Sequence, residues 1–200
     1  MIVLDVESSG LDPKTASILS IGALDLEDPG NQFYDECRAW QGAHISDEAL
    51  AVNGFTRQEI ADPARKSEAE LMRAFIAWAM DRPKDRTLAS QNVAFDRGFV
   101  EAAAERAGLA SPFAHRAIDT HTLVWLHMTM RGITPPTKNG HSDISLTKAL
   151  EYVGLPEEPR PHNGLTGAYC HAEIVTRIAY NKKLLEDFLR YDIPWIPNET

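Results

Sequence analysis

The sequence predicts an α/β domain built on a mixed sheet. Three apolar runs rich in β-branched residues come first and are joined by short links, which indicates a meander of strands. Further along, short apolar runs alternate with amphipathic segments, a pattern typical of strands connected by helices. With 200 residues, of which 44% are hydrophobic, the chain can bury one sizeable core, so we expect one domain.

Five strands account for the apolar runs, and residues that favour turns close them. The first run ends at Ser8-Ser9-Gly10 and the second at the turn signal Asp28-Pro29-Gly30. The predicted strands cover residues 2–7, 17–24, 32–40, 87–91 and 117–119.

Helices are predicted from apolar residues at helical spacing and from capping residues. The clearest spans 67–80, where Leu71, Phe75 and Trp78 share one face and Ser67 forms a capping box with Glu70. The others cover residues 46–53, 95–107, 123–130, 145–153, 166–180 and 182–191, and residues 132–143 and 156–161 are predicted to be loops.

Composition limits the class of function. The chain has 29 acidic and 20 basic residues and a net charge of −9, which argues against a wide basic surface for duplex DNA but not against a nuclease, whose metal site is itself acidic. The two cysteines, Cys37 and Cys170, form no CxxC pair. We see no signal peptide and no membrane span, so we expect a cytoplasmic protein in a reducing compartment.

Two carboxylates at the end of the first strand form the first candidate site. Asp5 and Glu7 are two positions apart, so they share one face of the strand at a spacing of about 7 Å. Like charges this close favour a neutralising cation, and an oxygen-only donor set suits Mg²⁺ or Mn²⁺. Taken alone, the pair is more simply a solvated strand end.

Two later segments hold further candidates. Asp96 falls in the first turn of a predicted helix, where the helix dipole favours a carboxylate, and Phe95 and Phe99 lie one turn apart. Taken alone, this segment also fits a capped helix with two core aromatics. His162 precedes the long helix 166–180, and a group that titrates near neutral pH suits proton transfer from water, although most of the seven histidines must have no such role.

In order and spacing these segments resemble one known family. DVESSGLDP at 5–13, NVAFDRGF at 92–99 and His162 before a late helix resemble the histidine branch of the DEDD exonucleases, the DEDDh or DnaQ-like family. That family includes the proofreading epsilon subunit of DNA polymerase III, ribonuclease T and oligoribonuclease. Residues 45–56 match a further family segment, and the resemblance covers roughly residues 1–180.

The resemblance implies an RNase H-like exonuclease fold, with a five-stranded mixed sheet flanked by helices. It also implies two divalent metal ions, Mg²⁺ or Mn²⁺, that align water and stabilise the phosphate transition state. Asp5 matches the bridging metal ligand, Glu7 and Asp96 match further ligands, and His162 matches the general base. The second metal site is expected to be weakened here, for the reason given below.

The same resemblance implies a pocket for a 3′-terminal nucleotide. The residues that match it are Ser8, Ser9, Gly10, Leu11, Asn92 and Phe95. The expected product is a nucleoside 5′-monophosphate released from the 3′ end of single-stranded DNA or RNA. The choice between DNA and RNA, a homodimer and a polymerase partner all stay open.

One position departs from the family pattern. The motif HxxxxD runs here from His162 to Gly167, and glycine cannot ligate a metal. Three interpretations remain: His171, one turn further on the same helix face, compensates; three acids hold one tight metal with reduced or Mn²⁺-preferring activity; or the chain binds nucleic-acid ends without cutting them. Glu173 faces away and is interpreted as a surface or structural acid. Glycine introduced to trap substrate is a further possibility, and if the missing ligand limits catalysis, Gly167→Asp should raise the Mg²⁺-dependent rate.

The sequence-based prediction is therefore a 3′→5′ exonuclease domain over residues 1–181, with a C-terminal helix and tail over 182–200. The alternative is a catalytically impaired domain that binds 3′ ends without efficient cleavage.

Overall fold

A computed structural model describes residues 1–82 and 85–197. Its centre is a five-stranded sheet in the order β3-β2-β1-β4-β5. Strands β1, β2 and β3 are antiparallel neighbours, whereas β4 and β5 run parallel to β1, so the predicted mixed sheet is confirmed. The strands are β1 (Ile2–Ser8), β2 (Ile18–Asp25), β3 (Asp28–Glu36), β4 (Leu88–Ser90) and β5 (Ala117–Asp119).

Every helix given below except α4 begins at a residue whose side chain accepts from a free backbone N–H group. Ser67 and Glu70 form the predicted capping box of α3, and Ser46 caps α1, which ends at Gly54 in the left-handed region that glycine tolerates. The helices are α1 (Asp47–Asn53), α2 (Arg57–Ala61), α3 (Glu68–Met80), α4 (Val93–Arg106), α5 (Thr120–Met130), α6 (Leu146–Tyr152) and α7 (Gly164–Tyr180).

The side chains of β1 alternate between the two faces of the sheet, and each face packs against its own layer of helices. On one face, Ile2, Leu4 and Val6 enter the main core, together with buried residues of α3 and α4. On the other face, Val3 packs against Ala168 of α7. Asp5 and Glu7 continue the Val3 series and therefore lie on the α7 side.

Helix α7 approaches the sheet very closely at its N-terminal end. Gly22 of β2 lies against the backbone of Gly164, so that a Cβ at position 22 would overlap it. A Cβ at Gly164 would lie 2.7 Å from the Gly22 nitrogen and 3.0 Å from the Asp5 carbonyl oxygen. Two glycines thus let the helix backbone sit directly on β1 and β2, beside Asp5.

The segment after α7 packs back onto that helix through a buried arginine. Arg177 is fully buried, pairs with Glu173 at 2.8 Å, and donates to the carbonyl oxygens of Phe188 and Tyr191 at 3.1 Å. The helix predicted over 182–191 is wrong: only Glu186–Phe188 forms a single 3₁₀ turn. Hydrogen bonds to Glu173 and Arg177 of α7 hold the backbone of this segment in an irregular path instead.

Three other local predictions need correction. The turn expected at Asp28-Pro29-Gly30 lies two residues earlier and these residues begin β3, so that strand covers Asp28–Glu36 and not the predicted 32–40. Pro29 is tolerated there because β3 is an edge strand, where a missing N–H need not break a ladder. Helix α2 was not predicted. The loop expected at 132–143 contains a small hairpin, β6 (Thr137–Lys138) and β7 (His141–Ser142).

Among the described residues, no helix combines the length and apolar character needed to cross a membrane.

Candidate functional site

The two acids of β1 lie where the strand leaves its neighbours. The pairing of β1 with β4 ends at Val3, and its register with β2 shifts between Glu7 and Ser8. Such irregularities are common next to functional sites because they turn side chains out of the regular ladder. Glu7 is nevertheless only 8% exposed.

Asp96 reaches the same end of β1 from the first turn of α4, as predicted. Its Oδ1 accepts from the backbone N–H of Val6 at 3.1 Å, and its Oδ2 accepts from Ser90 Oγ at 2.7 Å. Helix α4 can start this close to β4 because Asn92 adopts a left-handed conformation with φ of 56°. Asp96 therefore ties β1, β4 and α4 together at one point.

Burial and mutual repulsion make this group of carboxylates hard to ionise. Burial, followed by the charges of Asp96, Glu7 and Glu158, raises the pKa of Asp5 well above its usual range. Burial, then the charges of Glu158 and Asp96, raises the pKa of Glu7 to about 8. Burial likewise raises the pKa of Asp96 to about 7, against the opposing hydrogen bonds from Ser90 and Val6.

The donor set fits a divalent cation. Asp5, Glu7 and Asp96 offer only carboxylate oxygens, and within the described residues none of them is ion-paired to a Lys or Arg. In the same part of the chain, no three His, Cys, Asp or Glu side chains already enclose a point where a metal would sit. The carboxylates are thus close enough to repel one another without forming a closed coordination shell. A hard cation such as Mg²⁺ or Mn²⁺ would relieve that repulsion.

His162 is held beside this group by α1. Its backbone N–H donates to the Val52 carbonyl at 3.0 Å, while Asn53 Nδ2 donates to the Ser8 carbonyl at 3.0 Å. Gly54 packs so tightly on Pro161 that a Cβ there would lie 2.7 Å from the proline Cβ. The segment 45–56 therefore fixes the end of β1 and the histidine link relative to each other.

The segment expected to hold a nucleotide is shaped by its own hydroxyl groups. Ser8 Oγ donates to the Gly10 carbonyl at 2.7 Å, and Ser9 Oγ donates to the His44 carbonyl at 2.7 Å. Both serines are buried, whereas the Leu11 side chain is 84% exposed. The two hydroxyl groups therefore stabilise the loop, and Leu11 is the exposed side chain among these residues.

The other two residues expected in that pocket lie at the start of α4. Asn92 is exposed and makes no side-chain capping hydrogen bond to the helix. Phe95 is half-buried, and its ring centroid lies 4.9 Å from that of Phe99. The predicted pair of packed aromatics is therefore present, with part of Phe95 still accessible.

Gly167 faces Asp5 across the interface of α7 and β1. A Cβ at position 167 would lie 2.6 Å from Asp5 Cγ, closer than real Cβ contacts come, and 3.0 Å from Asp5 Cβ. This geometry argues against the expectation that Gly167→Asp simply restores a ligand, because the new side chain would displace Asp5.

The two neighbours considered for compensation have structural partners. His171 is 1% exposed, its Nδ1 lies 3.1 Å from the Leu4 carbonyl oxygen, and burial lowers its pKa to about 4. Glu173 is fully buried and accepts from Arg177 and from the backbone N–H groups of Leu184 and Leu185. The interpretation of Glu173 as a structural acid fits these contacts, but it is not a surface residue.

Sequence reasoning missed one acid at the site, Glu158. It lies in the predicted loop 156–161, and its charge acts on both Asp5 and Glu7. The signal available in the sequence was a glutamate four residues before His162, between two prolines.

Comparison with known proteins defines the class of this fold. The nuclease domain of 3′hExo, a DEDDh family member bound to rAMP, superposes with a TM-score of 0.69 at 19% identity, covering 96% of this chain and 94% of that one. E. coli Exonuclease I in complex with a dA16 oligonucleotide gives 0.65 at 16% identity, covering 88% of this chain and 40% of that one. The fold is therefore that of the DEDDh exonuclease domains.

Sequence comparison gives the family. Residues 2–175 match the Exonuclease family. Ribonuclease T of Citrobacter koseri is 31% identical over 192 residues, covering 88% of this chain and 84% of the relative. Ribonuclease T of Haemophilus influenzae is 32% identical over 127 residues, and that match spans 56% of this chain and about half, 54%, of the relative. The chain belongs to the exonuclease family, as its motifs predict.

Proposed function

We propose that this chain is a metal-dependent 3′→5′ exonuclease that releases nucleoside 5′-monophosphates from single-stranded nucleic-acid 3′ ends. The observation that carries the proposal is the convergence of Asp5, Glu7 and Asp96 without a cationic partner among the described residues, close to His162. Membership of the exonuclease family supports the same reaction and its dependence on a divalent metal.

Each residue has a distinct part in the reaction. Asp5, Glu7 and Asp96 hold Mg²⁺ or Mn²⁺, which when bound supplies positive charge for the attacking water and the phosphate. His162 accepts a proton from that water. Its Nδ1 faces Glu158 at 3.8 Å, so we assign proton transfer to Nε2.

The substrate end is placed by the loop after β1 and the start of α4. Leu11 offers an exposed apolar surface to a base, Asn92 and Phe95 line the other side, and the backbone near Ser9 and Gly10 contacts the terminal nucleotide. The net charge of −9 favours a short single-stranded end over a long duplex held by many phosphates. We place this activity in the cytoplasm.

The first test is cleavage of single-stranded DNA and RNA oligomers labelled at either end, in Mg²⁺ and in Mn²⁺. Wild type should give a metal-dependent ladder from the 3′ end. Asp5→Asn, which removes one charge at nearly constant shape, should abolish it. Asp47→Asn is the matched control, because that side chain is 80% exposed on α1. Equal products from wild type and Asp5→Asn would refute the proposal.

A second candidate function, end binding without cleavage, is favoured by one observation. Gly167 supplies no carboxylate and lies too close to Asp5 for one to be added without displacement. Under this alternative, wild type and Asp5→Asn are equally inert, while metal-dependent binding of a 3′ end persists in wild type.

A further inference from the structure

Glu158 is a buried acid whose place at the site has a structural basis. It lies in the link between α6 and α7 and is 7% exposed. Thr166 Oγ1 donates to its Oε1 at 3.2 Å, and its Oε2 lies 3.8 Å from His162 Nδ1. The carboxylate is therefore held between the proposed general base and the residue that precedes Gly167 on α7.

The same carboxylate is tied to the part of α7 that contacts the acids of β1, because Thr166 donates to it and the adjacent Gly167 lies against Asp5. Its charge raises the pKa of both Asp5 and Glu7, and among the neighbouring charges it has the largest effect on Glu7. Within the described residues, Glu158 is ion-paired to no Lys or Arg, and its one ion-pair partner is His162. Burial raises the pKa of Glu158 above its usual value, although the charges of His162 and Arg160 and hydrogen bonds from Thr166 and the Asn163 backbone act in the opposite direction. A bound cation would further stabilise its charged form.

The contact at Gly167 is consistent with an acid supplied from the link. Helix α7 lies so close to β1 that a side chain at position 167 would overlap the Asp5 carboxyl group in its present position. Thr166 immediately precedes position 167 on the helix, and its hydroxyl group donates to Glu158. A carboxylate from the link can therefore approach this region without displacing Asp5, whereas one at position 167 would displace it.

We propose that Glu158 supplies the fourth carboxylate of the metal site, in place of the side chain that Gly167 lacks. The inference rests on the proposed function, because it adds a ligand to the site formed by Asp5, Glu7 and Asp96. With Glu158 the site again has four acids, the number that the family motif contains.

The test is calorimetric titration of Mn²⁺ into chelator-treated full-length protein. Glu158→Gln removes the charge, keeps the shape and can still accept from Thr166. We expect its Mn²⁺ affinity to fall by at least about tenfold, in the range seen when groups around a metal are lost. Glu157→Gln is the matched control: it makes the same change one residue away on an exposed side chain, and wild-type affinity is expected.

Thermal unfolding of each variant establishes that it is folded. If Glu158→Gln fails to fold, Glu158→Asp replaces it, with Glu157→Asp as control, and the shorter side chain is expected to weaken Mn²⁺ binding. Wild-type Mn²⁺ affinity in folded Glu158→Gln overturns the inference. If the pH profile of cleavage is shifted in that variant while its Mn²⁺ affinity is unchanged, Glu158 only orients His162. If wild type binds Mn²⁺ and cleaves while Glu158→Gln matches it, this inference alone fails; if wild type does neither, the proposed function fails as well.

Discussion

Gly167 lies directly against the carboxyl group of Asp5, so that a Cβ at position 167 would come within 2.6 Å of Asp5 Cγ. The missing side chain and the close packing of α7 are therefore two aspects of one arrangement. Helix α7 packs this closely against Asp5 because position 167 carries no side chain, acidic or otherwise.

Gly167→Ala should damage catalysis even though alanine favours a helix. The added methyl group must push Asp5 aside, and a displacement of about 1 Å can cost roughly a hundredfold in rate. Gly167→Asp should behave in the same way. The measurement is the single-turnover cleavage rate in Mn²⁺.

Gly98→Ala is the control for that change, because it is also a glycine within a helix but a Cβ there would meet only Pro13 Cγ at an ordinary 3.5 Å. We expect wild-type cleavage and a slight gain in stability from helix propensity. A rate for Gly167→Ala equal to that of Gly98→Ala would contradict the steric account.

Without metal, the protein should lose stability as the pH rises from about 4.5 to about 8. Burial raises the pKa of Glu7 from its ordinary 4.5 to about 8, so in this window the folded chain keeps a proton that the unfolded chain has released. The free energy of unfolding must then fall with rising pH. Thermal unfolding in a chelator checks this, since 1 kcal/mol shifts the Tm by about 2–4 °C at this size.

Saturating Mn²⁺ should reduce that pH dependence, because a bound cation favours the charged carboxylates. Asp5→Asn should also reduce it in the absence of metal, since it removes one of the repelling acids. A chelated wild type whose Tm rises steadily across the same range would show that the acids are not strained by burial.

Arg177→Ala should destabilise the fold strongly. The side chain is fully buried, as is its partner Glu173, and the substitution leaves an uncompensated buried charge, at a cost of about 3–5 kcal/mol. Urea unfolding measures the loss. In the control Arg57→Ala the deleted ion pair with Asp47 is largely exposed, so a change within about 1 kcal/mol is expected. Similar losses from both variants would argue against the role given to Arg177.

His162→Ala should lower turnover by about 10²–10⁴, the range for loss of a general base, while Mn²⁺ affinity stays near wild type. The pH–rate profile should also lose the limb that reports the histidine. His115→Ala is the control, because that side chain is exposed on the link before β5. Turnover within a few-fold of wild type would remove His162 from the proposed reaction.

Local signals predicted most of the framework. The capping box of Ser67 and Glu70 marks the start of α3 because its hydrogen bonds join residues three apart. Asp5 and Glu7 could be assigned to one face because side chains alternate along a strand. The same logic missed α2, although Thr56 and Glu59 form a second capping box there.

Long-range contacts could not be predicted in this way. Nothing near Lys182 indicates that the backbone after it will form hydrogen bonds with Glu173 and Arg177 of α7 in place of a regular helix. Nothing near Glu158 shows that its carboxylate will meet Thr166 and approach Glu7. Such residues acquire their roles only when the chain folds.

The glycine contacts of α7 also make this arrangement hard to reverse. An aspartate brought back to position 167 would meet the space that the Asp5 carboxyl group occupies. The contact of Gly22 with Gly164 holds α7 at this distance from β1, so regaining the ligand at position 167 requires a second change that moves Asp5 or the helix. A carboxylate supplied from another part of the chain requires no such change.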